Sequence, residues 1–249
     1  MIDLRRKKFG IRFQEFFFPE PSTFCANKST TCIKLFIQCS ERIHKAYCKE
    51  FRTVIIDLNN DQDKILSGMQ KTYRYEINKA INTDCISFSI NNTPKAEDIF
   101  LFCNLYNSFS ARKELPNANI TKLHLLARKK ALVLSFSFDK NQTTLVFHAL
   151  IKDQSTMRLL YSGNCLTSAS SADMRSLVGR SNKALHYREM LEAKKSSHTS
   201  YDLGGISLSQ KESGIDRFKI GFGGDIKVQY NCLQTRFKIL SILIGKLIM

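Results

Sequence analysis

Two glycine-bracketed runs near the carboxyl end carry the residues best suited to chemistry. Tyr201-Asp202-Leu203-Gly204-Gly205-Ile206 comes first, and Gly214-Ile215-Asp216-Arg217-Phe218-Lys219-Ile220-Gly221-Phe222-Gly223-Gly224 follows. A strand that stops in two glycines lets another backbone or a ligand come close, because no Cβ stands in the way. The second run sets two cations, Arg217 and Lys219, around Phe218. Where negative charge grows on a reacting oxygen, a fixed cation with accurate positioning can stabilise it without a protein nucleophile. A lysine about 4 Å away contributes about 4 kcal/mol at an effective dielectric of about 20. That is nearly three powers of ten in rate. Asp202 is a candidate proton acceptor, although a strand-end aspartate serves equally as a structural hydrogen-bond acceptor. The bland account of both runs is a pair of turns with surface charges.

Other chemistries find little support. G-x-x-x-x-G-K-[ST], G-x-S-x-G, H-E-x-x-H and G-x-G-x-x-G are all missing. The five histidines are scattered, and a lone strand histidine such as His148 reads as a satisfied core residue rather than a base. The eight cysteines form no C-x-x-C pair and no zinc-ligand spacing with histidine, so no metal site is expected and buried thiols are the better reading. With no apolar stretch of signal-peptide length near Met1, that suggests a cytoplasmic, reduced setting. The 249 residues carry 38 Lys and Arg against 22 Asp and Glu, a formal charge of +16. A surface that basic favours nucleic acid, phosphorylated molecules or an anionic membrane face.

The elements that must hold these residues can be read from periodicity. Residues up to about Arg52 look irregular, with Phe13, Phe16, Phe17 and Phe18 broken by Pro19 and Pro21, and proline argues against a central strand. Thr53 to Asp57 reads as a buried strand, with Asn60 and Asp63 in a capping arrangement. From Asp61 to Asn82, apolar residues recur every four positions and predict one continuous helix. Lys64, Lys71, Arg74 and Lys79 lie on its other side, as a solvated face or one turned to phosphate. A second helix is expected over Ala96 to Ala111. Ala131–Phe138, Thr143–Leu150 and Thr156–Ser162, separated by polar turns, predict an antiparallel meander. Ser181 to Lys195 reads as a helix, Tyr201 to Leu203 as a short strand stopping at Gly204-Gly205, and Gly214 to Tyr230 as a turn-rich segment leading into another strand. Phe237 to Met249 is largely apolar but shorter than the ~20 residues that span a bilayer. It reads as a terminal core helix, or as an in-plane contact with the inner face of a membrane. The fold class is α/β (α+β) around a mostly antiparallel sheet.

Taken together, these stretches resemble the FemABX group, aminoacyltransferases that build peptidoglycan cross-bridges and are related to GNAT-fold acyltransferases. The pair of C-terminal runs looks like that group's signature. Met69 to Ala80 is similar to its inter-lobe helix. Gly179-Arg180-Ser181-Asn182-Lys183-Ala184-Leu185-His186-Tyr187 resembles the opening of its late helix, and Tyr106 to Lys113 the helix end that presents an arginine to phosphate. The match spans about Thr53 to Tyr230. It implies a GNAT-like fold with a reduced N-terminal lobe over 1–90 including the inter-lobe helix, an acyltransferase domain over 91–230, and an apolar helix over 231–249. By resemblance Lys219 and Phe218 match the catalytic Phe-Lys pair, and Arg112 and Tyr161 match positions that hold the diphosphate of a nucleotide-linked acceptor. Arg74, Arg217, Gly204 and Gly205 complete the expected substrate contacts. No N-terminal phosphate lysine can be matched.

The function this implies is transfer of an aminoacyl group from aminoacyl-tRNA to an amine of a nucleotide-linked or lipid-linked cell-wall or surface-glycan precursor, with no cofactor. One alternative is a coenzyme A-dependent N-acyltransferase, for which acyl-CoA is the donor. Those enzymes cradle pyrophosphate with a [QR]-x-x-G-x-[GA] loop, whereas here Arg175 is followed three positions on by Val178, with Gly179 off by one. The other alternative is a non-catalytic basic module that binds nucleic acid or anionic lipid, its binding weakened by salt.

Overall fold

A computed structural model describes residues 1–8, 11–19, 32–208, 213–235 and 241–245. In chain order the elements are β1 (Ile2–Lys8), β2 (Ile11–Phe17), β3 (Cys32–Cys39), β4 (Tyr47–Asp57), α1 (Gln62–Ser67), α2 (Lys71–Asn82), β5 (Ser87–Asn91), α3 (Ala96–Arg112), α4 (Ile120–Arg128), β6 (Leu132–Phe138), β7 (Thr144–Lys152), β8 (Thr156–Asn164), α5 (Ala172–Lys195), β9 (Ser200–Ile206), α6 (Gly214–Ile220) and β10 (Asp225–Gln234). They fall into two compact units. The first comprises Met1–Val54, Gly205–Asp216 and Ile226–Met249, and the second Ile55–Gly204 and Arg217–Asp225.

In the first unit the N-terminal segment is strand, not irregular coil. β1 and β2 form an antiparallel hairpin, β2 runs parallel to β3, and β3 pairs antiparallel with β10. Phe16 and Phe36 are register partners whose rings stack at 4.9 Å, and both are buried. Pro19 lies just beyond the end of β2, where it costs no ladder hydrogen bond; Pro21 lies outside the described residues. The strands escape a local reading because β3 finds its neighbour nearly two hundred positions downstream, and no short-range period records that. Cys48 and Cys232 form a disulfide. The expectation of reduced thiols therefore fails at these two, while Cys39 and Cys103 are buried free thiols and Cys85 and Cys165 are exposed. Spacing cannot reveal a bridge between neighbouring strands 184 residues apart in sequence. The apolar C-terminal run is described only over 241–245, which are helical; its remainder lies outside the described residues.

The second unit holds the expected meander. β6, β7 and β8 pair antiparallel in succession, β5 adds antiparallel to β6, and β9 runs parallel to β8 with Met157 opposite Tyr201 and Arg158 opposite Asp202. β6 and β7 are buried almost throughout because both faces are covered: α5 packs on both, α4 on β6 and α3 on β7, while α3 also packs on β8 and α2 on α5. Arg180 donates two hydrogen bonds to Asp84, at 2.6 and 3.0 Å, in the α2–α5 contact.

Several expectations are corrected here. The single helix over Asp61 to Asn82 is two, α1 and α2, broken at Gly68-Met69-Gln70. A glycine turn fills the break: the Gln70 N–H donates to the Gly221 carbonyl at 3.0 Å, and a Cβ at Gly223 would lie 1.9 Å from the Gly68 carbonyl oxygen. The N-cap is Asp61, accepting from the Lys64 N–H at 2.7 Å, rather than Asn60. α5 begins at Ala172 under a Ser171 cap, nine residues before the expected start. β9 runs through both glycines instead of stopping at them. Gly214 to Ile220 is helix rather than turn; Ser213 and Asp216 exchange backbone and side-chain hydrogen bonds at its start, a capping pattern visible as Ser-x-x-Asp. β5 and α4 had no sequence expectation.

Cross-linking the first unit across so long a loop restricts the unfolded chain. Replacing Cys48 and Cys232 together by serine is expected to remove about 4 kcal/mol of unfolding free energy under non-reducing conditions. Urea titration checks this, and a pair of free thiols at these positions in the unreduced wild type would contradict it.

Candidate active site

The site grows from β9. Its Tyr201, Asp202 and Leu203 are buried, which is what alternating contact with both covered faces requires. At Gly204 the backbone turns left-handed, φ +80°, a conformation that favours glycine. Asp202 Oδ1 accepts the Gly204 N–H at 2.7 Å and so fixes the turn. Asp202 Oδ2 lies 3.6 Å from Arg158 Nε across the parallel pair. Burial lowers the Arg158 guanidinium, and the Asp202 charge opposes that.

Lys219 projects from the second half of α6 to this turn. Its Nζ lies 3.5 Å from the point where a Cβ on Gly204 would stand, beside the Leu159 carbonyl of β8. The preceding residue, Phe218, is held by the Tyr73 hydroxyl, which donates to its carbonyl at 3.1 Å. Gly221 is required next, because a Cβ there would come within 2.4 Å of the Tyr73 ring. A second cation adjoins Phe218. Lys183 Nζ sits 4.8 Å over the Tyr73 ring and 5.9 Å from that of Phe218, and pairs with Glu76 at 2.5 Å. In the sequence Lys183 sits within the Gly179–Tyr187 stretch, where no local pattern marks it for a role.

Of the expected site residues, Lys219, Gly204 and Asp202 are brought together, with Phe218 next to them. Arg74 donates to the Ser67 carbonyl at 2.8 Å across the α1–α2 break. Arg112, at the exposed end of α3, donates to the Asn164 carbonyl at 3.0 Å. The Tyr161 hydroxyl accepts the Asn119 N–H at 3.2 Å, and its ring lies 4.8 Å from that of Tyr106. Arg112 and Tyr161 thus share the α3–β8 side of the unit. Arg217 is exposed on α6. Gly205 belongs to the first unit, where a Cβ would meet the Phe51 ring at 2.7 Å. Beside the Gly223-Gly224 turn is a cavity of about 390 Å³ whose polar lining includes Asp57, Asn60, Lys64 and Ser67.

Behind Phe218 lies a polar cluster with almost no exposure to water. Glu189 Oε1 accepts from Ser135 and is 2.8 Å from His148 Nδ1, while Oε2 accepts from Tyr201. His148 Nε2 is 3.0 Å from Asn182 Oδ1, and His186 Nδ1 is 2.8 Å from the Tyr201 hydroxyl. His148 is thus the satisfied core residue expected. Burial alone would raise the Glu189 carboxyl, but the His148 charge and hydrogen bonds from both imidazoles outweigh it and hold the carboxyl well below the ordinary range. Burial, with the His148 charge, pushes His186 down to about 4. Burial and the Glu189 charge keep the Tyr201 phenol protonated. Ligand atoms of His148, His186 and Glu189 lie within 4.8 Å of one another, the one group among the described residues that could hold a metal ion.

Solved structures supply a likeness. FemX matches with a TM-score of 0.65 and 13% identity, over 99% of this chain and 86% of that one. The fold is that of FemX. The C-terminal domain of a putative lysylphosphatidylglycerol synthetase from Agrobacterium fabrum matches at 0.62 and 11% identity, over 98% and 83% of the two chains. L-PGS from Bacillus licheniformis matches at 0.61 and 12%, over 99% and 85%. The GNAT-like α/β fold expected from the FemABX resemblance is therefore the fold found. No protein-family profile and no curated protein matches the sequence.

The buried His186 ties stability to pH. The unfolded chain takes up a proton on this ring below about 6.5, but the folded chain resists until about 4. Acid therefore favours unfolding progressively through that window, by up to about 3 kcal/mol, and no further below it. In denaturant titrations the stability of the wild type relative to His186→Gln should shrink by that amount between pH 7 and pH 4. Parallel curves would show that His186 is not the group responsible.

Proposed function

We propose that this protein is an acyltransferase that moves an aminoacyl group from aminoacyl-tRNA to an amine of a cell-wall or surface-glycan precursor. The observation that carries the reading is the seating of Lys219 Nζ against the left-handed Gly204 turn, next to a Phe218 pinned by Tyr73, in a chain with the fold of FemX. The lysylphosphatidylglycerol synthetase neighbours support a related acceptor carried on a lipid.

In the reaction the acceptor amine attacks the ester carbonyl, a C–N bond forms, and the C–O bond to the tRNA ribose breaks. The amine loses a proton and the departing ribose oxygen gains one. Negative charge passes first to the carbonyl oxygen and then to that ribose oxygen, and the role assigned to Lys219 is to stabilise it. Lys183 and Arg74 can hold phosphate on the α2 and α5 side, and Arg112 with Tyr161 on the α3 and β8 side. Asp202 supports the reaction by shaping the Gly204 turn, since one of its oxygens is committed to that N–H and the other faces Arg158.

Coenzyme A as donor is disfavoured by a specific placement. Arg175 to Arg180, where a pyrophosphate-cradling loop would be sought, lies inside helix α5 with its backbone N–H groups spent within the helix.

Purified protein offered labelled aminoacyl-tRNA, or separately labelled acyl-coenzyme A, with nucleotide-sugar amines and phosphatidylglycerol vesicles as acceptors, separates the readings. Transfer from tRNA should fall nearly a thousandfold in Lys219→Met, as about 4 kcal/mol of lost charge stabilisation requires. Lys140→Met, in the β6–β7 turn, should leave it unchanged. Transfer from the thioester alone would select the coenzyme A reading. Salt-sensitive tRNA binding without turnover would select a binding module.

A further inference from the structure

The polar cluster behind Phe218 fixes the protonation of one ring. The Tyr201 phenol keeps its proton and donates it to Glu189 Oε2. Its oxygen can then only accept from His186 Nδ1, 2.8 Å away, and Glu189 Oε2, 3.3 Å from the same nitrogen, can only accept as well. The His186 proton therefore sits on Nδ1, and Nε2 carries the lone pair. On its other flanks the ring packs 5.8 Å from Phe218 and 5.3 Å from Phe222, the two aromatics that bracket Lys219 in α6 and the following turn. The groups facing the ring are Glu189 from its own helix, His148 from β7, Tyr201 from β9 and Lys219 from α6. Glu189 Oε1 meets His148 Nδ1 at 2.8 Å, and His148 Nε2 reaches Asn182 Oδ1 at 3.0 Å, so both nitrogens of that ring are engaged.

We propose that Glu189 is a positioning residue, which holds His186 as the neutral Nδ1–H tautomer and through that ring seats Phe218, and so Lys219, for the transfer. The kinetic part rests on the proposed function; the tautomer and the seating do not. Nothing bonds covalently to Glu189 or His186 in this role. A ring turned over to the Nε2–H form would set Nδ1 lone pair against phenol and carboxylate lone pairs and would have to move, carrying Phe218 with it.

The test uses the full chain labelled with ¹⁵N, with the His186 signals assigned by their loss in His186→Gln. The wild type should show a neutral Nδ1–H ring, unchanged from pH 5 to pH 8. In Glu189→Gln the amide offers a donor, the tautomer should shift, and the backbone amide signals of Phe218 and Lys219 should move; in Lys140→Met they should not. Glu189→Asp, which keeps the charge, should retain the tautomer. Where transfer is measurable, Glu189→Gln should lower kcat about a hundredfold, the scale of a misplacement near 1 Å, with KM changed less than twofold, and Glu189→Asp should recover most of it. An Nε2–H ring in the wild type would overturn the inference without any variant. So would unmoved tautomer and amide signals in Glu189→Gln, whatever the activity. Elemental analysis that finds one divalent ion per chain, lost in Glu189→Gln, would replace this hydrogen-bonded seat by a metal site. Failure of the wild type to transfer at all would strike the proposed function and leave the spectroscopic result to decide this one.

Discussion

A carboxylate with no access to water sits at the heart of the second unit, and much else follows from the need to satisfy it. An uncompensated ion there would be severely unfavourable, so both Glu189 oxygens are met by donors from three different strands: Ser135 of β6, His148 of β7 and Tyr201 of β9. Such a cluster is weak testimony to net stability, because a well-packed apolar replacement could do as well. What it supplies is register. An apolar strand can slide by two residues and still bury the same face, whereas a strand that must deliver a hydroxyl or an imidazole to one carboxylate cannot. β9 is pinned at Tyr201, and the next three residues are then bound to place Asp202 opposite Arg158 and Gly204 at the turn.

From there the route to the surface is short. The left-handed Gly204 gives Lys219 its neighbour, and the glycines after α6 let the turn press against Gly68 and Tyr73 without side chains in the way. The loop earns its precision by contact on several sides: a hydroxyl from α2 on the Phe218 carbonyl, a histidine from α5 on its ring, and a broken helix that receives Gly223. A cation held in this way needs little reorganisation when charge appears beside it, which is the condition under which electrostatic stabilisation is largest.

What could be read from the sequence follows the range of the interactions involved. The meander was legible because Asp139-Lys140-Asn141-Gln142 and Lys152-Asp153-Gln154 separate strands that pair with their own neighbours. α3 was legible because its apolar spacing has no interruption. β3 was not, since its parallel partner β2 and its distant partner β10 leave no local period, and the Cys48–Cys232 bridge is hidden for the same reason; the β1–β2 hairpin is local, but the charged run Arg5-Arg6-Lys7-Lys8 does not read as a strand. The α1–α2 break was masked by an apolar stripe that continues in phase across it. In the site, the Tyr-Asp-Leu-Gly-Gly and Phe-Lys runs were visible as words, and the fold sets Lys219 beside Gly204. Lys183 and the Glu189 cluster were not visible, because their partners come from five other elements, α2, α6, β6, β7 and β9. The trace of the Glu189 cluster is a pair of polar residues, Ser135 and His148, placed where strands otherwise read as apolar.

The bridge between Cys48 and Cys232 also has a topological side. The whole of the second unit lies between these two positions in the chain. A protease that cuts once anywhere in that span leaves amino- and carboxyl-terminal fragments still joined by sulfur. The nicked molecule keeps its mass until a reductant separates the pieces, so damage to the second unit would pass unnoticed on any gel run without one.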